Sequence, residues 1–357
     1  MFFSKAPSMT LGIAALAAPG RGPRDDLWMG SAAGEPIPWR VLSREGNGGR
    51  YRNAAGEEVS GPALLLVTSC LLGNHFQDGI KKDSDLRFYQ EGTEPDTEDP
   101  ALLWRQSAAR AWCGDFFASC LSPLEQEAVL AVWKDDPEYS PVGWSSRPVP
   151  GASGILDGDR VFFLSAQEVE NEEYGFKNKQ RIVEHLWWTR SYRGTRNYRG
   201  RGEYGAGITI NGGLQQATCD SRQFARPAVV LDPAAVLFTT PAPQGWRLTL
   251  RDRTRETFSL GQPVREGQTL VLPYRNAFPA DAPDPAGERV SVIVAAPDGT
   301  ARDYRAIARP AAPDGVARLE LSGLKRKKGD RLLVFSERQD EKQTTGYASP
   351  LIQVPEN

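Results

Sequence analysis

The sequence predicts an α+β domain followed by an all-β sandwich, and three observations carry that expectation. Gly and Pro supply 35 and 27 of the 357 residues, turn chemistry that favours many short strands over a helical bundle. Two Ser-x-x-Glu capping boxes, Ser122 to Glu125 and Ser165 to Glu168, start helices ahead of Thr240. After Thr240 no helical period survives and short alternating runs take over. Length alone asks for two domains, since single cores stop growing at roughly 250 residues. The expected organisation is a lead-in over 1–25, a mixed domain over 26–240 and a sandwich over 241–357.

Met9 to Ala18 (MTLGIAALAA) loosely imitates an export signal, but it is short, contains a Gly and follows a single Lys. It reads as a mobile or strand-forming lead-in, which favours an intracellular location over secretion or surface display. Ile37 to Leu42 and Pro62 to Thr68 read as buried strands separated by a Gly/Asn-rich excursion. Ser107 to Ser119 reads as a helix, with Ser107 as N-cap and Ala108, Ala111, Trp112 and Phe116 at helical spacing. Pro123 at the first helical position strengthens the second helix start. Arg160 to Leu164, Leu186 to Arg190, Gly207 to Asn211 and Arg226 to Leu231 read as further strands. Pro241 to Gly245 reads as a linker, and seven or eight short strands follow it. Lys325 to Lys328 precede Gly329-Asp330 and are expected to decorate a hairpin tip as a solvated turn.

Composition narrows the chemistry. Lys and Arg number 43 against 45 Asp and Glu, a net charge of −2, so an anionic partner would need a local patch. No apolar run reaches roughly 18 residues, and no membrane partner is expected. Cys70, Cys113, Cys120 and Cys219 show no CxxC spacing, and His75 and His185 stand alone. No metal, no cofactor and no catalytic residue is therefore expected, and the thiols read as buried and reduced.

The informative stretch runs from Trp187 to Ala228. Between Arg190 and Tyr204 lie five arginines and one glutamate, with Tyr192, Tyr198 and Tyr204 interleaved. Such a segment has little to bury and is expected to be an exposed loop. Three readings compete: a partnerless surface loop, a recognition surface of the Tyr/Arg/Gly/Asn kind, and a nucleic-acid contact. The last is possible but not favoured, because no basic surface elsewhere in the sequence extends the patch. The candidate binding residues are Arg190, Tyr192, Arg193, Arg196, Asn197, Tyr198, Arg199, Arg201 and Tyr204, joined by Asp220 and Arg222. The partner is an unidentified protein or surface ligand meeting residues 190–204 and 218–222.

Several short motifs occur in a recognisable order. They are Ile37-Pro-Trp-Arg-Val-Leu, Ser107-Ala-Ala-Arg-Ala-Trp, Arg160-Val-Phe-Phe-Leu-Ser, Trp187-Trp-Thr-Arg-Ser, Asn211-Gly-Gly and Ala225-Arg-Pro-Ala. With the strand Ala63 to Val67 and the Ser122 capping box, the ordered set resembles the bacterial domain of unknown function 6273 over about Asp26 to Thr239. That resemblance implies a C-type-lectin-like fold, distantly similar to formylglycine-generating enzymes. It also implies that the segment between Trp187 and Ala228 is a target of diversity-generating retroelements. Val334 to Glu337 and Tyr347 to Leu351 resemble an immunoglobulin-like module. The implied function is a non-enzymatic binding protein with a variable Arg/Tyr-rich face. The alternatives are a formylglycine-generating-type oxidoreductase, which would need a reactive thiol pair or thiolate-held metal near Cys219, and an adaptor in a phage or defence assembly. Trp39, Trp112, Trp187 and Trp188 are expected largely in the core, and Arg226 is expected to pin the last strand through a carboxylate or carbonyl.

Overall fold

The computed structural model describes residues 9–16, 26–73, 86–89, 104–135, 154–176, 185–196, 202–208, 214–218, 221–242, 245–279, 285–338 and 345–355. For 192–196, 202–208 and 214–218 it describes the backbone. The chain divides into two compact units, Ala17–Asp232 and a second made of Met1–Leu16 with Pro233–Asn357. The boundary thus falls ahead of the expected linker, and the start of the lead-in belongs with the C-terminal residues.

Strand β1 (Thr10–Leu11) is part of the second unit. In the first unit, β2 (Asp26–Ala32), β3 (Glu35–Ser43), β6 (Leu64–Thr68), β9 (Val161–Phe163) and β13 (Pro227–Leu231) form one antiparallel sheet. Its order is β2-β3-β6-β13-β9. All five residues of β6 and of β13 are buried, which fits unbroken apolar runs between two neighbours. A smaller antiparallel sheet runs β5-β4-β7-β8, from β4 (Arg50–Arg52), β5 (Glu58–Val59), β7 (Ala131–Lys134) and β8 (Leu156–Asp159). A third sheet is the meander β10 (Trp187–Arg196), β11 (Gly202–Ile208) and β12 (Leu214–Thr218).

Three α-helices are present among the described residues: α1 (Ala108–Cys120), α2 (Pro123–Ala128) and α3 (Ala166–Glu170). Ser107 caps α1, and both capping boxes form. The buried stripe of α1 is Ala109, Trp112, Cys113, Phe116 and Cys120; Ala111, expected on it, is exposed. Among the described residues strands make up 49% and helix 15%, so the expectation of an α+β C-type-lectin-like domain is corrected to a mostly β architecture. The physical reason lies in what a capping box encodes. It satisfies the first orphan amides and so marks where a helix begins, not how far it runs. After α2 the chain is already extended at Val129 and enters β7; after α3 it is extended at Asn171.

Trp39, Trp112, Trp187 and Trp188 are all buried, as expected of large aromatic side chains. Trp112 stacks on Phe116 at 5.4 Å, Trp39 meets Phe116 edge-on at 6.2 Å, and Trp188 meets Phe88 edge-on at 5.6 Å.

In the second unit, β14 (Val236–Ala242) and β15 (Gly245–Arg251) pair directly, with Ala242 opposite Gly245, where the sequence suggested a linker. β1 adds to β14 with Thr10 opposite Thr239. The strands β19 (Glu288–Ala295), β20 (Ala301–Ala308), β22 (Arg331–Arg338) and β23 (Gly346–Ala348) extend this sheet, and β24 (Ile352–Gln353) pairs β22. Within the unit, β20-β19-β22-β23-β15 are consecutive neighbours, and β23 runs parallel to β15. A second sheet centres on β18 (Thr269–Arg275), flanked by β16 (Ser259–Leu260) and β17 (Val264–Glu266) on one side and β21 (Gly315–Glu320) on the other. Leu272, Tyr274 and Leu319 of this sheet pack with Val290, Val292, Val294 and Val334 of the first. Because β21 pairs β18 and β22 pairs β19, residues 321–330 cross between the sheets and are not the hairpin tip expected for Lys325 to Lys328.

Candidate functional site

The Arg/Tyr-rich segment starts from a locked root. Trp187, Trp188, Thr189, Arg190 and Ser191 are all buried. The Trp188 amide donates to Phe224 O at 3.0 Å and the Arg190 amide to Leu164 O at 3.0 Å, which ties β10 to two other segments. Ser191 Oγ accepts the Ala166 amide at 2.7 Å, and Trp188 Nε1 donates to Leu86 O at 2.9 Å.

Arg190 is the residue that departs from expectation. It was assigned to the recognition face, and its side chain is instead 0% exposed. Nη1 donates to Glu168 Oε2 at 2.5 Å and to Phe163 O at 2.9 Å, and Nε donates to Gly154 O at 2.8 Å. Its guanidinium also lies over the Phe162 ring at 5.6 Å. A charge removed from water must be paired and hydrogen-bonded, and this one is. Gly154 is required there by space: a Cβ would sit 2.6 Å from Arg190 O.

Glu168 is the hub that sequence reasoning recognised only as a cap. Oε2 accepts the Ser165 amide at 2.8 Å, while Oε1 accepts Lys134 Nζ at 2.8 Å and Asn47 Nδ2 at 3.2 Å. Burial alone would raise its carboxyl, but Arg190 and Lys134 outweigh burial and hold it at about 2. The same carboxylate raises nearby Tyr174, though burial is the larger cause. The one sequence signal was the capping-box spacing; the cationic partners come from β7 and β10, remote in the chain.

Beyond Ser191 the expected loop is largely strand. Tyr192 stands opposite Gly205, Arg193 opposite Tyr204 and Arg196 opposite Gly202. The register shifts between Trp188 and Tyr192 and again between Arg193 and Arg196, so β10 carries extra residues twice. Tyr204 is also opposite Thr218, which places Arg193, Tyr204 and Thr218 in one row across three strands. Residues in such a row share a face of the sheet. Asn197, Tyr198, Arg199, Arg201 and Asp220 lie outside the described residues. Arg222 is exposed, two positions before the buried Phe224. The register therefore brings together Arg193 and Tyr204, and it excludes Arg190.

Arg226 pins the segment's far end through a carbonyl: Nε donates to Thr68 O at 2.9 Å. Its guanidinium lies over the rings of both Phe176 and Trp187, each at 5.2 Å, so the start of β10 and the start of β13 share one cation. Among the described thiols, burial pushes Cys70 and Cys120 up to about 12 and raises Cys113 well above its ordinary value. Cys219 lies outside the described residues. Among the described residues no group of three or more His, Cys, Asp and Glu could hold a metal ion, and no helix is long and apolar enough to cross a membrane.

No protein-family model matches the chain, and no curated protein matches it. Among solved structures, the chain is similar to a DUF3823 family protein from Bacteroides ovatus, at 12% identity and a TM-score of 0.19. The match covers 47% of this chain and 97% of that one.

Proposed function

We propose that the chain is a binding protein whose recognition surface is the β10–β12 meander, presented to a protein or other surface ligand. The observation that carries this reading is the change of character at Ser191. From Trp187 to that residue the side chains are buried, and those of Trp188, Arg190 and Ser191 are hydrogen-bonded. Immediately after it come Arg193, Arg196, Arg199 and Arg201 against Glu203 alone, with three tyrosines interleaved. Arg190 is neutralised internally, so the local excess of positive charge belongs to the strands and their connection. Tyr gives wide amphipathic contact at low entropic cost, Arg gives forked hydrogen bonds, and a rigid root lowers the cost of ordering the surface on binding.

The three described thiols are held protonated by burial, which disfavours thiolate chemistry at those positions. The resemblance to domain of unknown function 6273 supports reading the segment as diversified by a retroelement. A reverse-transcriptase gene beside this one, with a near-identical repeat of the codons for residues 187–228, would support that part separately.

The test compares the parent chain with a Tyr192→Ala/Arg196→Ala/Tyr198→Ala variant. Proteins captured from a lysate of the native host are quantified by mass spectrometry, and both chains are melted. Partners captured by the parent and lost in the variant, with Tm within about 2 °C, support the reading. Equal capture, or a large fall in Tm, overturns it.

A further inference from the structure

The second unit carries a separate charged feature. Residues 321–330 hold four consecutive cations, Lys325, Arg326, Lys327 and Lys328, and all four are exposed. Their backbone is fixed from beneath. Asp303 Oδ2 accepts the Lys325 amide at 3.1 Å, and Asp330 Oδ2 accepts the Lys327 amide at 2.7 Å. Arg305 Nη2 holds the Asp303 carboxylate at 2.8 Å, and Arg302 Nε holds Asp330 at 2.8 Å. At the entry to the crossover, the Leu321 amide donates to Gln268 O at 2.8 Å. Both neighbouring acids are thus engaged with the segment's own amides and with arginines of β20. Arg326 Nη2 donates to Asp330 O at 3.3 Å. Among the described residues no carboxylate pairs with Lys325, Lys327 or Lys328.

We infer that Lys325–Lys328 form an electrostatic contact for an anionic phospholipid surface, a peripheral contact independent of the β10–β12 meander. Two carboxylates hold the backbone in one shape through its amides, and no carboxylate forms an ion pair with the lysine ammonium groups, although Lys327 lies near enough to Asp330 to help lower its carboxyl. The chain as a whole carries −2, so attraction is short-ranged and acts within about 8 Å at physiological salt. A run of adjacent exposed cations can all meet a plane at that range. No aromatic residue lies between Leu321 and Arg331, so the segment offers no platform for stacking bases. Removing three lysines is expected to lower partitioning onto an anionic bilayer on the order of 100-fold.

The experiment is co-sedimentation of the full chain with vesicles of phosphatidylcholine alone or mixed with phosphatidylserine, at low and at raised salt. The parent should sediment with the phosphatidylserine vesicles at low salt, release as salt rises, and ignore pure phosphatidylcholine. Lys325→Ala/Lys327→Ala/Lys328→Ala should abolish sedimentation, and the matching triple Lys→Arg variant should retain it. Since these lysine side chains form no hydrogen bond or ion pair among the described residues, both variants should keep the parent's Tm to within about 2 °C. Binding that ignores lipid charge, or that survives the alanine variant, overturns the assignment. So does a parent that ignores phosphatidylserine vesicles and instead binds duplex DNA through the same lysines.

Discussion

Arg190 Nη1 lies 2.5 Å from Glu168 Oε2, and the two side chains are 0% and 4% exposed. This contact joins the cap of α3 to the root of β10, and Lys134 reaches the other oxygen of the same carboxylate from β7. Three elements distant in sequence therefore converge on one acid, and the residue that opens the Arg-rich segment is spent on holding that segment in place.

Glu168→Gln would leave two cations facing a neutral amide in a buried site. Breaking such a pair by removing one partner costs about 3–5 kcal/mol, and urea unfolding of the variant should show a loss of that order. Arg196→Ala, within the proposed surface, should shift the same curve by less than about 0.5 kcal/mol. If the two variants unfold alike, the hub is not what supports β10.

The same carboxylate predicts acid sensitivity. Its folded-state value of about 2 lies below its ordinary 4.5, so the unfolded chain takes up the proton more readily. The stabilisation is fully present above about pH 4.5 and is lost as pH falls toward 2. The urea midpoint of the parent should decline across that window. In Glu168→Gln this component of the decline should disappear.

Arg226→Lys keeps the charge but loses the planar group that lies over Phe176 and Trp187 and the Nε donor to Thr68 O. A point charge on a flexible stem cannot replace a stacked, forked cation. The substitution should destabilise the chain by about 1–3 kcal/mol in chemical denaturation. A stability equal to the parent's would mean that the stacking contributes nothing.

Burial raises Cys70, Cys113 and Cys120, so near pH 8 very little thiolate forms at these positions in the folded state. Alkylation mapped by mass spectrometry should label all three at least about 10-fold faster in denaturant than in buffer. Rapid labelling of Cys113 or Cys120 in the native chain would contradict its buried placement, whereas Cys70 is half-buried and is protected by its raised pKa.

Local signals were legible wherever the physics is local. Ser107, Ser122 and Ser165 cap helices because a side-chain oxygen two or three residues from an orphan amide is a short-range fact. The apolar runs of β6, β9 and β13, and the burial of the four tryptophans, follow from composition in the same way. Helix length was not legible at the capping boxes, and neither was the share of strand in the first unit. Both depend on which neighbour claims the backbone next. The loop expectation for the Arg/Tyr-rich segment is overturned at 190–196 and 202–204, which are strand, for a related reason. Its strands are paired with one another, and that pairing depends on Gly202 to Ile208 supplying the middle strand.

By itself the sequence determined where helices start, which runs enter a core, and that positive charge is concentrated after Trp188 in an otherwise balanced chain. Only the tertiary structure decided that Arg190 faces inward to Glu168 while Arg193 and Tyr204 share a row, and that Thr10 and Leu11 pair with a strand more than 200 residues away. An arginine's sequence looks the same in both settings. Its placement depends on whether a desolvated carboxylate waits within hydrogen-bond reach, and only the folded chain brings that carboxylate there.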